Sequence, residues 1–150
     1  MTYIIIIVLG LIIDRLTKTY AINNLIDNPY KGSIFNFTYL ENRGAAFGIL
    51  QDKRIFFIIL TLAIVCALVY YFLKNYKKNP KLLNVALTMI ITGAIGNFYD
   101  RLFQGYVVDF IEFAFVDFPV FNVADIFVTV GSILMIIYLI FFEEREKVWV

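Results

Sequence analysis

Asp109 and Asp125 are the side chains best placed to do chemistry. Each lies at the edge of an apolar stretch, Val107-Val108-Asp109-Phe110 and Phe121-Asn122-Val123-Ala124-Asp125, within a region (92–125) where helical hydrophobic sequence breaks and resumes. A carboxylate is expensive to keep near a bilayer, so its presence there points by default to function. Two carboxylates within hydrogen-bond reach cannot both ionise cheaply; they share a proton and titrate as a coupled pair. One is then a base that draws a proton from a water attacking a peptide carbonyl, and the other an acid toward the carbonyl oxygen and the leaving amine. The helix dipole suits Asp125, expected in a first helical turn, to the base role.

Absences narrow the alternatives. The chain has no His, and its one Cys, Cys66, falls inside an apolar run where it reads as a small buried hydrophobe. A Ser/His/Asp triad is excluded, a Cys/His pair likewise, and neither a metal nor a cofactor is expected. Ser132 follows Gly131 as a small packing residue, and Ser33 has no evident lysine partner. A formal net charge of +1 with scattered Lys and Arg offers no basic stripe for nucleic acid.

The frame that must position the two carboxylates is a membrane one. Hydrophobic residues make up 61% of the 150 residues and mean hydropathy is +0.81, against roughly 45 to 50% apolar content in ordinary soluble domains. The reading is a single all-α integral membrane domain of four transmembrane helices at about 3–20, 55–73, 82–99 and 123–142. The first carries charges after its apolar core and reads as a retained helix rather than a cleaved leader.

Between the first two spans, the interval 21–54 turns at Asn23–Pro29 and holds a short strand at Ile34–Leu40, so a small sheet at the membrane surface is expected. Residues 74–81 carry four lysines and are assigned to the cytoplasm, which puts both termini there and the 100–122 loop outside. Lys31, Arg43, Lys53, Arg54 and Arg101 then fall outside, against Lys74, Lys77, Lys78, Lys81, Arg145 and Lys147 inside. The tail from Glu143 to Val150 reads as an interfacial end of the last helix.

In this topology Asp14, Lys18, Asn42, Asn97, Asp100, Arg101, Asp109, Asn122 and Asp125 gather at one end of the bundle. Each also has a plainer use. Asp14 and Lys18, four apart, fit an ion pair that neutralises its own membrane cost while the lysine snorkels outward. Arg101 suits either neutralising Asp100 or holding a substrate's phosphate or carbonyl groups. Asn122 and Asp125 match a capping box at a helix start. That last use leaves Asp109 unexplained, since no helix begins near it.

These blocks resemble the lipoprotein signal peptidases (signal peptidase II) of bacteria. The likeness runs from Asp14-x-x-x-Lys18 through Asn42-x-Gly44-Ala45-Ala46-Phe47-Gly48, Gly96-Asn97-x-x-Asp100-Arg101 and Val107-Val108-Asp109-Phe110 to Phe121-Asn122-x-Ala124-Asp125. It implies catalysis by Asp109 and Asp125, supported by Asp14, Lys18, Asn42, Gly44, Asn97, Asp100, Arg101 and Asn122. It further implies an aspartic endopeptidase of the bacterial plasma membrane, working without a cofactor, that removes the signal peptide from prolipoproteins before a diacylglyceryl-modified cysteine.

An extracytoplasmic β-cradle, a short mobile surface helix, a monomer among membrane lipids, and binding of a globomycin-type inhibitor are expected with it. Phe98-Tyr99 and Phe118-Pro119-Val120 depart from the family's usual residues and bear on groove shape. Phe35, Phe37, Tyr39 and Phe47 suit the interface, as depth anchors or beside the lipid. The rival readings are a small proton- or ion-coupled transporter using the same carboxylates, and a subunit whose polar residues only pack helices.

Overall fold

The computed structural model describes residues 1–45 and 49–142. Ala46, Phe47, Gly48 and the segment 143–150, with Arg145 and Lys147, lie outside the described residues. The chain runs α1 (Thr2–Asn24), β1 (Tyr30–Lys31), β2 (Phe35–Asn42), α2 (Arg54–Asn75), α3 (Lys81–Phe103), β3 (Val107–Phe113) and α4 (Val123–Phe141). It is mostly helical with one three-stranded sheet. Among the described residues three helices, α2, α3 and α4, are long and apolar enough to cross a membrane. α1 is as long as α3, but Asp14, Arg15 and Lys18 interrupt its apolar run.

α3 is the axis of the bundle. It buries Leu83, Leu87, Ile91 and much of its length besides, with α1, α2 and α4 against it, whereas α2 buries only Phe57. That contrast follows from sequence. α3 carries Asn84, Thr88, Thr92, Gly93 and Gly96, small or weakly polar residues that let helices approach, while α2 is uniformly apolar and meets lipid as readily as protein. Thr88 and Thr92 return their hydroxyls to the carbonyls four residues back, both at 2.7 Å, so neither is left unpaired. Cys66 is exposed on α2, which corrects its reading as a buried hydrophobe: the apolar run surrounding it faces outward.

The sheet is antiparallel in the order β1-β2-β3. β2 begins one residue after the expected strand and runs on to Asn42, and β3 occupies what reads from sequence as loop. Leu40 pairs with Asp109 and Asn42 with Val107, after an irregularity between Phe37 and Leu40. Ile49–Asp52 form turns, and the short surface helix expected near them falls partly on residues outside the described ones. Ala21, Leu25, Val108 and Phe110 form the core that joins the sheet to the end of α1.

Gly131 marks a close crossing of α4 on α3. A Cβ there would stand 2.8 Å from the Ala86 carbonyl oxygen and from Ile90 Cγ1. Gly131→Val is expected to cost about 1–3 kcal/mol through overpacking, read as a lowered thermal midpoint of the purified protein. Cys66→Ala, on the outward face, is expected to stay within about 0.5 kcal/mol.

Candidate active site

α4 begins with a complete capping box. The Asn122 Oδ1 accepts from the Asp125 backbone N–H at 3.0 Å, and Asp125 Oδ2 accepts from the Asn122 backbone N–H at 3.1 Å. The plainer use of this pair is therefore real, yet it does not exhaust it. The Asn122 Nδ2 donates to Asp109 Oδ1 at 2.6 Å and to Asn97 Oδ1 at 3.2 Å. Asn97 Nδ2 donates in turn to Asp125 Oδ1 at 2.7 Å. Two amides thus bridge the two carboxylates, and Asn42 Nδ2 holds the other oxygen of Asp109 at 2.8 Å.

Besides α4, three elements supply these groups, and each does so for a local reason. β3 places Asp109 in the strand between the buried Val108 and Phe110. Its partner β2 ends at Asn42, close enough for the side-chain contact. Asn97 projects from α3, one turn before Arg101. Asp109 is 1% exposed and Asn122 fully buried, so an unmade hydrogen bond here would carry its full desolvation cost.

Behind Asn97 lies an ion cluster. Lys18 is fully buried, and its Nζ lies 3.0 Å from Asp14 Oδ2, 2.9 Å from Asp100 Oδ2 and 2.9 Å from Asn97 Oδ1. The predicted Asp14–Lys18 pair exists, but Lys18 points inward instead of snorkelling. Gly96 makes the approach possible, since a Cβ on it would meet Asp14 Oδ2 at 2.7 Å. Asp14 Oδ1 also accepts from the Ala124 N–H at 3.0 Å, tying α1 to the first turn of α4.

Asp100 is held by Lys18, by Gln104 Nε2 at 2.9 Å and by Arg15. Arg101 is therefore not its neutralising partner. Its guanidinium donates to the Gly44 carbonyl at 3.1 Å and lies over the Phe57 ring, 5.0 Å from the centroid. Gly44 N–H donates to Asn42 Oδ1 at 3.0 Å, which orients the Asn42 amide toward Asp109. Arg15 and Arg54 were not among the candidate residues; their partners are an acid on another helix and main-chain carbonyls, neither visible as a local pattern.

A cavity of about 530 Å3 opens beside the pair. Asp109, Asp125, Asn97, Asn42 and Arg101 form its polar end, and Phe113, Phe118, Phe121, Ile126 and Val130 belong to its apolar walls. The departing Phe118-Pro119-Val120 segment lines it too, whereas Phe98 and Tyr99 do not. Burial and the neighbouring charge of Asp125 push the Asp109 carboxyl up from its ordinary 3.8 to about 7, against the lowering effect of the Asn42 and Asn122 hydrogen bonds. Among the described residues no group of three or more His, Cys, Asp or Glu side chains is arranged to hold a metal ion.

Helices apolar enough to cross a membrane, packed around a cavity that holds a pair of carboxylates, fit a membrane enzyme. The chain belongs to the signal peptidase II family: the family model described as "Signal peptidase (SPase) II" matches residues 6–141, which makes it a peptidase. It is 50% identical to a lipoprotein signal peptidase of Clostridium tetani, over 95% of this chain and 97% of that protein. To the lipoprotein signal peptidase of Clostridioides difficile it is 41% identical, over 98% of this chain and all of the other. A solved structure of a bacterial membrane enzyme superposes with a TM-score of 0.84 at 40% identity, covering 92% of this chain and 87% of that one.

The ion cluster makes a sharp demand on stability. Lys18→Met would leave Asp14 and Asp100 short of their shared cation and is expected to cost about 3–5 kcal/mol. Adding Asp14→Asn should recover part of it, and thermal unfolding of the single and double variants measures both effects.

Proposed function

We propose that Asp109 and Asp125 are the acid and base of an aspartic endopeptidase that removes the signal peptide from diacylglyceryl-modified prolipoproteins, cutting before the lipidated cysteine. The observation that carries this reading is the amide bridge itself: two carboxylates held through Asn122 and Asn97 at the polar end of one apolar cavity. Membership of a peptidase family favours hydrolysis over a proton or ion relay through the same groups, and over a purely packing role for them.

The division of labour follows from surroundings. Asp109, raised to about 7, holds the proton near neutrality and donates it to the scissile carbonyl oxygen. Asp125 takes a proton from the attacking water, giving a tetrahedral diol. That proton then passes to the leaving nitrogen as the C–N bond breaks, and the diol's hydroxyl proton returns to Asp109, restoring both groups. Arg101 is placed to orient the substrate's backbone carbonyls. The apolar walls suit acyl chains and signal-peptide side chains, with Phe35, Phe37 and Tyr39 at the interface.

In this reading α1 is a fourth crossing helix whose charges are internally neutralised, and the whole chain is one membrane domain. Its termini and the 74–81 loop are cytoplasmic; the sheet and cavity lie toward the outer leaflet of the bacterial plasma membrane. A monomer suffices for the site, and a globomycin-type cyclic peptide is expected to compete for it.

Asp109→Asn and Asp125→Asn are each expected to lower cleavage of a synthetic diacylglyceryl-modified precursor by about 10²–10⁴-fold, with helicity retained by circular dichroism. Full activity in either variant would remove the carboxylate from the reaction. The pH profile of kcat/KM should fall on the alkaline side with a midpoint near 7, as Asp109 loses its proton. Asn42→Ala removes a hydrogen bond that favours the charged form, so the same midpoint should move to higher pH.

A further inference from the structure

α2 contributes no residue to the lining of the cavity, yet its first turn grips one that does. Arg54 opens the helix, and its Nε donates to the Arg101 carbonyl and an Nη to the Leu102 carbonyl, each at 2.8 Å. These belong to the last four carbonyls of α3, which a helix cannot pair internally. The turn that follows leaves them free for this: Gln104 and Gly105 both donate to the Asp100 carbonyl, at 2.8 and 3.2 Å. Gly105, at φ +88°, turns the chain away beside the Arg54 guanidinium. A cation at this end of α3 also matches the helix dipole.

Three residues further along the same face of α2, the buried Phe57 carries the Arg101 guanidinium on its ring, 5.0 Å from the centroid. Arg101 is thereby held twice from one helix turn, at its main chain by Arg54 and at its side chain by Phe57. The held guanidinium reaches Gly44, whose N–H in turn fixes the Asn42 amide that binds Asp109. We propose that Arg54 is a positioning residue of the peptidase, acting on the cavity through Arg101, with Phe57 as the other half of the clamp. The role rests on the reading of that cavity as the hydrolytic site.

The test uses the full chain in lipid nanodiscs with the diacylglyceryl-modified precursor. Arg54→Met is expected to lower kcat about ten-fold or more, with KM changed less than about two-fold, because the misplacement acts on the transition state. Arg54→Lys, which keeps a cationic donor for a carbonyl, should recover much of it. In an Arg101→Ala background Arg54→Met should add nothing further. An unchanged kcat, or losses that multiply in the double variant, would overturn the proposal.

A second readout is independent of turnover. The Arg101 Nε–H resonance should carry a ring shift that Phe57→Leu abolishes and Arg54→Met diminishes; a resonance indifferent to both would also overturn the clamp. Wild-type protein that shows these shifts but leaves the precursor intact would count against the functional reading alone.

Discussion

One buried amide determines how the two carboxylates meet. The Asn122 side chain spends its oxygen on the cap of α4 and its nitrogen on Asp109 and Asn97. Both donor positions and the acceptor are engaged and the side chain is fully buried, so rotating the amide would leave buried polar groups unpaired. A helix start and a strand are locked in register by one group of three atoms. Capping and site assembly are thus a single interaction, which is why the local pattern Asn122-x-x-Asp125 can be read correctly as a capping box and still understate what the residue does.

The charges behind the pair settle a different degree of freedom. Asp14, Arg15, Lys18 and Asp100 bring two positive and two negative groups together, with Asp14, Lys18 and Asp100 buried. Isolated, any of these ions would cost several kcal/mol to bury, so the cluster persists only as a neutral set. Its consequence for the cavity is directional. Because the Lys18 ammonium must face the Asn97 oxygen, the Asn97 nitrogen is turned toward Asp125. α1 therefore keeps charges that weaken it as a crossing helix in order to fix an amide it never touches by main chain.

The features legible in sequence were those whose partners are close along the chain. Asp14 with Lys18, Asn122 with Asp125, and the uncharged run of α2 each declare themselves by spacing or composition. Asp100 and Arg101 show the limit of adjacency: consecutive residues on a helix project about 100° apart, so one faces the ion cluster and the other the cavity. Cys66 shows another, since an apolar sequence is the same whether it meets lipid or protein core. β3 was hidden because its short apolar stretch, broken by Asp109 and Glu112, does not distinguish strand from loop; only its register with β2 makes it a strand. The family resemblance joined distant blocks that local physics could not.

Why a strand carries one of the two carboxylates follows from what burial demands of backbone. Buried N–H and C=O groups need a partner, and Asp109 sits between the buried Val108 and Phe110. β3 finds partners on both sides. β2 pairs one edge, and Phe121 closes the other, its carbonyl accepting from Phe110 and Ile111 at 3.0 and 2.8 Å while its N–H donates to Ile111 at 2.9 Å. The return from Phe113 to Phe121 is thereby folded back as a short wall beside the cavity, and it delivers the chain to Asn122 just where the cap must begin. A satisfied backbone, an apolar wall and the placement of the second carboxylate come from the same return.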